Sequence, residues 1–555
     1  MGKSSWIRAS CLPVRYTNDA LNAERHDSLR PHPALVYALI FAAILLLHAP
    51  LLNLPYFWDE AGYYVPAARD LFLSGGLIPH STPSNAHPPL VMAYLAGGWK
   101  VAGYSTTVTR TAMLAIAAFA LLGVFRLAER VANREVAIAS TVCTAIYPVF
   151  FTQSSLAQVD LAAAGFTIWG LLAFIDGRRA ATVAWFSLAA LSKETAILTP
   201  LALFAWDRVG SSRIRESKDL PPHSAPSRSR TAVLIPVLPL IAWYAYHWLR
   251  TGYVFGNPEF FRYNVEATLS PLRMLLALGM RLWQITGYLD LYLLTLATLT
   301  VLWLPPLRDA GGERQRIEPA IQLVFLTIIG TYSMAMAIIG GAELARYMLP
   351  ALPLVIIVCV STLRRRVRLW RWVIALVVMA FIAGLTVNPP YGFALEDNLS
   401  YRDYIIMHQN AEQFLESRYP MAHVLTAWPA SDELTRPYLG YVSRPMRAVR
   451  IDDFSLDQMM SAADLRNSLD VALVFSTKYE PPHPLVTNWK AWDQIRTRYF
   501  GYHRDLPPAA AARMLGGEIV YSDTRDGQWI AVIELGQVRD AAAFPRTHPD
   551  PIGLP

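Results

Sequence analysis

Two adjacent carboxylates, Asp59 and Glu60, follow the first long apolar segment of the chain by about five residues. Charged side chains beside a bilayer are costly and usually mark a functional site. The aromatic residues Trp58, Tyr63 and Tyr64 flank the pair, and such residues favour the membrane interface. The pattern predicts an active site that faces a lipid-borne substrate. Capping of the helix that follows is an alternative role for the same two carboxylates.

Later apolar segments are interrupted or bordered by further charged residues. Asp160 begins one of them, where it predicts either an active-site acid or a helix N-cap. Lys193 interrupts another, so two short helices that meet there would present an ammonium group and exposed backbone to a phosphate; an ion pair with Glu194 is the alternative. Arg346 follows Glu343 at the i+3 spacing of a helical pair, but a guanidinium also suits bidentate contact with a phosphate.

The composition indicates a polytopic membrane protein. Of the 555 residues, 54% are hydrophobic and only 16% are charged, against roughly a quarter charged in soluble chains, and the mean hydropathy is +0.28. The net charge of +7 comes from short basic clusters between apolar segments, which fits the positive-inside rule and disfavours nucleic-acid binding. The three cysteines are far apart, so they predict neither a disulfide framework nor a metal knuckle.

The apolar segments and the arginine clusters together predict the topology. The run 88–101 is too short to span well and predicts an interfacial or re-entrant helix. With that run on the outer side, every arginine-rich cluster falls in the cytoplasm with the basic N-terminal tail. The prediction is about eleven helices, a retained first segment and an outer C-terminus. Segments of near-spanning length cover about 34–54, 108–128, 135–153, 161–176, 231–250, 284–304, 319–340, 347–363 and 370–388, with two shorter ones beside 193–194.

This topology brings many of the charged residues to the outer membrane face. Such convergence predicts a single site there. The alternative is a set of unrelated helix-end residues whose side chains extend to water. The residues concerned are Asp59, Glu60, His87, Asp160, Lys193, Glu194, Glu343 and Arg346.

Three regions follow from the same patterns: a cytoplasmic tail over 1–33, a transmembrane part over 34–388 with its first outer loop at 55–107, and an extracytoplasmic part over 389–555. The last part has the spacing of a small α/β domain, which would bind an acceptor, form a lid or act as a structural cap. Its predicted helices are Tyr401–Tyr419 and Leu434–Tyr441, and its predicted strands are His423–Ala427, Met446–Ile451 and Val471–Phe475. The loop 211–230 is typical of a disordered linker.

Two motifs carry a family resemblance. Trp58-Asp59-Glu60 after the first helix, followed by His87-Pro88-Pro89-Leu90, resembles the signatures of the dolichyl-phosphate-mannose protein mannosyltransferases. The wider resemblance, over roughly 35–365, is to integral membrane C-type glycosyltransferases, including bacterial enzymes that transfer aminoarabinose from undecaprenyl phosphate. In one departure from the family pattern, Val91-Met92 stands where Gly-Lys often follows, so the phosphate-binding cation would come from elsewhere.

The resemblance implies an inverting glycosyltransferase of the C-type fold in the cell inner membrane. Its donor would be a polyprenyl-phosphate-linked sugar, and its acceptor an extracytoplasmic lipid, polysaccharide or protein. Asp59 would be the catalytic base, Glu60 would orient the acceptor or order the loop, and Asp160 would be a further acid of the site. The implied substrate-binding residues are Tyr63, Tyr64, His87, Lys193, Glu194, Arg346 and Tyr347.

Two matters stay open at this level. His87 has no nearby partners at a recognised metal-ligand spacing, so no metal ligand is predicted. Related sugar transferases are sometimes reported with a bound metal, so a divalent metal cofactor stays open.

A transporter or lipid-sugar flippase would also place charges in a membrane, and a non-catalytic scaffold is a third class. The absence of an internal repeat and the gathering of charge at one face favour the enzyme.

Overall fold

The computed structural model describes residues 32–214, 231–256, 258, 268–309, 312–339, 341–481 and 490–536. Most of the predicted tail 1–33 and most of the predicted linker 211–230 lie outside the described residues.

Within the described residues, four helices are long and apolar enough to cross a bilayer: Pro33–Leu51, Thr106–Val131, Ala232–Thr251 and Pro319–Ile338. Four shorter apolar helices accompany them: Leu90–Ala102, Asp160–Ile175, Leu291–Val301 and Trp370–Gly384. The helix Leu90–Ala102 has 13 residues and is therefore only about 20 Å long, which is too short to span, as its sequence predicts. The number of about eleven spans stays a prediction.

The remaining helices complete a mostly helical fold. They are Val65–Ser74, Arg134–Ile146, Pro148–Gln153, Arg179–Ser192, Leu198–Ile214, Pro271–Thr286, Leu352–Arg366, Ser400–Arg418, Ala430–Thr435, Leu456–Ala463, Lys490–Phe500 and Pro508–Leu515. Short 3₁₀ turns at Glu194–Ile197, Ala345–Met348 and Leu395–Asp397 carry residues of the site.

The helix Thr106–Val131 lies at the centre of the apolar part. It begins where the Ser105 hydroxyl accepts a hydrogen bond from the Val108 backbone N–H, which is an N-cap. It packs against the helices Pro33–His48, Arg134–Ile146 and Asp160–Ile175. A Cβ atom at Gly165 would lie 2.9 Å from the Cβ of Ala120, so the small residue permits the close helix contact that membrane proteins favour.

Beyond residue 390, helices pack on a five-stranded mixed sheet. The strands are β3 His423–Ala427, β4 Arg447–Ile451, β5 Val471–Phe475, β6 Glu518–Arg525 and β7 Gln528–Glu534, in the order β4-β3-β5-β7-β6. Strand β3 pairs parallel with β4 and β5, and β7 pairs antiparallel with β5 and β6. The short strands β1 Arg308–Asp309 and β2 Gly312–Glu313 form a separate hairpin.

The predicted strands β3 and β5 are confirmed at both ends, and the helix predicted from Tyr401 begins one residue earlier. The prediction of one helix over Leu434–Tyr441 is wrong. The helix Ala430–Thr435 ends there, and Pro437 begins a separate 3₁₀ turn. Arg436 takes a non-helical conformation because a residue before proline is disfavoured in a helix.

The part beyond residue 390 docks directly on the loop 55–107. The Tyr441 hydroxyl donates to the Tyr56 carbonyl at 3.0 Å, and the Tyr104 hydroxyl donates to the Tyr438 carbonyl at 2.8 Å. The Arg436 guanidinium donates to the carbonyl of Ser81 at 2.8 Å. These contacts hold the loop that carries Asp59 between the helices and the sheet.

Candidate active site

Asp59 lies at a strained turn of the loop 55–107. The preceding Trp58 has φ 45°, a conformation that is uncommon outside glycine and clusters at functional sites. A single π-helical turn, Glu60–Tyr64, follows, and such turns are frequent at functional sites. The Asp59 carboxylate makes no helix-capping hydrogen bond; instead it accepts a short hydrogen bond from the Arg346 guanidinium. The capping alternative is therefore wrong for Asp59.

Glu60 points away from Asp59 into the protein. Its carboxylate accepts from both terminal nitrogens of Arg110, at 2.8 and 3.1 Å, and from the backbone N–H groups of Phe57 and Ala157. Both Glu60 and Arg110 are fully buried. This arrangement supports the second of the two roles considered for Glu60, which is to order the loop.

Arg346 is the centre of the site. Besides Asp59, it donates to the side-chain oxygen of Gln158 at 2.6 Å and to Glu396 at 2.5 Å. Its Nε lies 3.4 Å from a carboxylate oxygen of Asp160. The guanidinium is buried, and each of its three nitrogens is directed at a different carboxylate, so these contacts fix its plane.

Lys193 lies where one helix ends and another begins, as its position in the sequence predicts. The helix Arg179–Ser192 stops, Lys193 is extended, and Glu194 opens a 3₁₀ turn. The Lys193 ammonium lies 2.5 Å from Asp160 and 3.9 Å above the ring centre of Tyr347. The alternative of a Lys193–Glu194 ion pair is wrong, because Glu194 pairs with His87.

His87 and Glu194 form a hydrogen-bonded pair beside the Lys193–Asp160 pair. The His87 Nδ1 lies 2.8 Å from a Glu194 oxygen, and the His87 ring stacks near Tyr64. Ala86, immediately before His87, has φ 57°, a second strained position next to a site residue. In the part of the chain that the structure describes, no group of three metal-ligating side chains lies close together here. His87 and Glu194 could supply two ligands to a metal, but the described residues offer no third.

Glu343 pairs differently from the sequence expectation. It lies 3.1 Å from Arg281 and 3.6 Å from Arg273, whereas Arg346 contacts the other carboxylates. The i+3 pair with Arg346 is therefore wrong: residues 341–344 are not helical, so the spacing brings no contact. Arg281 and Arg273 are themselves buried.

The 3₁₀ turn Leu395–Asp397 adds two carboxyl groups behind Arg346. Burial raises the pKa of Glu396, against the opposing effect of Arg346. Burial, with a further contribution from Glu396, raises the pKa of Asp397 to about 8. The Tyr288 hydroxyl donates to Asp397 at 2.6 Å. At neutral pH, Asp397 is therefore largely protonated, and the negative charge beneath the site is reduced.

Trp428 covers the loop from the side of the sheet. Its ring lies 5.3 Å from Trp58 and 5.7 Å from Tyr63. A Cβ atom at Gly62 would lie 2.5 Å from the Trp428 ring, so only glycine fits beneath it. Tyr63 thus belongs to the rim of the site, and Tyr64 is buried against His87.

Four residues of the site were missed from the sequence: Arg110, Gln158, Glu396 and Trp428. A signal existed for Arg110, because it is a charge close to the start of a long apolar helix, and intramembrane charges mark functional or paired positions. Gln158 and Glu396 meet Arg346 across 188 and 50 residues. No local pattern connects residues so far apart.

Residues 86–243 match the family model for dolichyl-phosphate-mannose-protein mannosyltransferase. The resemblance found in the sequence is confirmed. The matched range contains His87, Asp160, Lys193 and Glu194, whereas Asp59 lies before it. No curated protein matches the sequence.

Several solved structures are similar at low identity. ArnT from Cupriavidus metallidurans bound to undecaprenyl phosphate is 15% identical, with a TM-score of 0.49 over 92% of this chain and 99% of that chain. The Archaeoglobus fulgidus oligosaccharyltransferase in complex with Zn and sulfate is 12% identical, with a TM-score of 0.43 over 80% of this chain and 68% of that chain. The arabinofuranosyltransferase AftD from Mycobacteria is 14% identical, with a TM-score of 0.39 over 91% of this chain and 40% of that chain. At these values the similarities do not identify a substrate of this chain.

Proposed function

We propose that this chain is a membrane glycosyltransferase that moves a sugar from a polyprenyl-phosphate donor to an extracytoplasmic acceptor, with inversion at the anomeric carbon. One observation carries the proposal. Asp59 holds an accessible carboxylate against Arg346, and Arg346 also contacts Asp160, the partner of Lys193. A base and two cations thus lie together beside apolar helices.

Asp59 is suited to be the base because it can be reached. Its side chain is 21% exposed, whereas those of Glu60, Asp160 and Glu396 are exposed by 5% or less. In the proposed step, Asp59 takes the proton of an acceptor hydroxyl, and the acceptor oxygen forms a bond to the anomeric carbon. The bond from that carbon to the phosphate oxygen breaks, and the phosphate leaves with the electron pair.

Lys193 and Arg346 are suited to hold the phosphate. Both lie against the ring of Tyr347, and Arg281 lies on the same ring at 5.6 Å. Fixed cations in a buried site stabilise the charge that develops on a leaving phosphate. No acid is needed to protonate a phosphate that leaves as an anion, unlike the sugar oxygen that a glycosidase must protonate.

The proposed orientation rests on the two ends of the site helices. The helix Leu352–Arg366 begins just after Arg346 and ends in Arg364, Arg365 and Arg366. The helix Asp160–Ile175 begins at the site and is followed by Arg178. The site and the arginines therefore lie at opposite ends of shared helices. By the positive-inside rule, the arginines lie on the cytoplasmic side of the inner membrane, and Asp59 lies on the opposite side.

The acceptor would approach from the side of the sheet. Trp58, Tyr63 and Trp428 form an aromatic group next to Asp59, and aromatic faces suit the apolar faces of sugar rings. The part of the chain beyond residue 390 is therefore proposed to contribute to acceptor binding and to cover the site.

The experiment is a transfer assay with the full chain in lipid nanodiscs. Synthetic undecaprenyl-phosphate sugars, pentose and hexose, are each supplied with a membrane extract as the acceptor source, and products are followed by mass. The proposal predicts that the wild type consumes one of the two donor types and adds the mass of its sugar to an acceptor. The exposed Asp464→Asn variant should behave as wild type. Donor movement across the bilayer without a new bond would instead establish a transporter.

A further inference from the structure

A second cluster of polar side chains lies within the part beyond residue 390. His408 and Glu412 are one turn apart on the helix Ser400–Arg418, and Glu433 faces them from the helix Ala430–Thr435. All three are buried, and their ligand atoms lie within 4.8 Å of one another. The proposed transfer reaction uses none of them.

The hydrogen bonding within this cluster is incomplete. The Nδ1 atom of His408 lies 2.7 Å from one Glu433 oxygen and 3.7 Å from one Glu412 oxygen. Both oxygens of Glu412 and the second oxygen of Glu433 have no hydrogen-bond partner. Buried carboxylates normally have a donor or a cation. Here two of them face each other with only one imidazole between them.

We propose that His408, Glu412 and Glu433 bind a divalent transition-metal ion of the zinc class. One imidazole nitrogen with two carboxylates suits zinc or its neighbours, whereas magnesium and calcium prefer oxygen ligands alone. Tetrahedral zinc ligands lie roughly 3.3 Å apart, given bonds of about 2.0–2.1 Å. The distances of 2.7 and 3.7 Å from Nδ1 lie on either side of that value. A bidentate carboxylate or a water molecule would complete the coordination.

The position of the cluster gives the ion a structural role towards Asp59. The Tyr404 ring stacks on His408 at 3.8 Å and contacts Phe57 at 5.2 Å and Trp58 at 5.6 Å. Trp58 immediately precedes Asp59. A bound ion would therefore fix the position of the helix Ser400–Arg418. Through Tyr404 it would also fix the side of the loop that carries Phe57, Trp58 and Asp59. His408 is in this sense a positioning residue.

The test measures metal content in the full chain, purified through a tag that contains no histidine. Wild type is analysed by elemental mass spectrometry as isolated, after chelation, and after addition of Zn²⁺. The variants are Glu412→Gln and His408→Ala, with His423→Ala as the matched control. His423 is half-buried, pairs with Asp470 at 3.3 Å and lies outside the cluster.

The expected result is about one equivalent of zinc in wild type and in His423→Ala, and at least about a fivefold loss in both cluster variants. Chelation should lower the Tm of wild type, and Zn²⁺ should restore it. Wild type that holds less than a tenth of an equivalent, even after addition of Zn²⁺, would overturn the proposal. Metal-free wild type together with an unchanged Tm in Glu412→Gln would also overturn it. That result would indicate that the carboxyl groups of Glu412 and Glu433 share a proton instead of a metal ion. If a variant does not fold, the wild-type measurements decide.

Discussion

Replacing Glu60 by glutamine should destabilise the loop that carries Asp59. It should not remove a group that takes part in the transfer reaction itself. Each carboxylate oxygen of Glu60 accepts two hydrogen bonds. Oε1 accepts from Arg110 and from the Ala157 N–H, and Oε2 accepts from Arg110 and from the Phe57 N–H. Whichever oxygen becomes an NH₂ group, two donors then face a donor. The fully buried Arg110 guanidinium also loses its counter-charge.

Breaking a buried ion pair from one side costs about 3–5 kcal/mol. In a chain of 555 residues, a loss of that size should lower the Tm by roughly 3–4 °C. The assay is thermal unfolding in nanodiscs by intrinsic fluorescence, measured beside the rate of sugar transfer. The double variant Glu60→Gln/Arg110→Met should recover a part of the stability, because the unpaired charge is removed.

The contrasting variant is Asp59→Asn, one residue away. Asp59 lies at the partly exposed edge of the site, so its replacement should change the Tm by little. The reasoning is refuted if Glu60→Gln keeps the wild-type Tm and yet loses transfer, since Glu60 would then act in catalysis and not in ordering the loop.

Three further predictions test the surroundings of the site. Gly62→Ala should lower stability by about 1–3 kcal/mol, because its Cβ would lie 2.5 Å from Trp428; Gly97→Ala, which has open space, should not, and an equal Tm for the two would contradict this. Lys193→Gln should raise the KM for the lipid-phosphate donor about tenfold or more, measured by donor titration, and an unchanged KM would remove Lys193 from phosphate binding. Asp397→Asn should flatten the pH dependence of the Tm: the pKa of Asp397 is raised to about 8, so the folded protein loses stability as pH rises from about 4 to 8, and a difference between variant and wild type that stays constant across this range would contradict it.

The sequence predicts well those features that a few neighbouring residues determine. The strands β3 and β5 follow from short runs of mostly apolar residues, and the break at Lys193 follows from a charge within an apolar run. The partners of the charges do not follow in this way. Lys193 could have paired with its neighbour Glu194, but it contacts Asp160, which is 33 residues away.

Long-range packing likewise determines the partners of the two adjacent carboxylates. Asp59 and Glu60 have the same flanking residues, yet one meets Arg346 and the other meets Arg110. The positive φ of Trp58 and the π-helical turn that follows direct them apart. Neither feature has a sequence signature, because both exist only through packing against residues such as Trp428 and Tyr404.

The most direct test of the proposed mechanism is the single-turnover rate of Asp59→Asn with a saturating donor and acceptor. If Asp59 is the base, the rate of bond formation should fall at least about 100-fold, while donor binding and the Tm stay near their wild-type values. A rate within about threefold of wild type would contradict the assignment of Asp59 as the base.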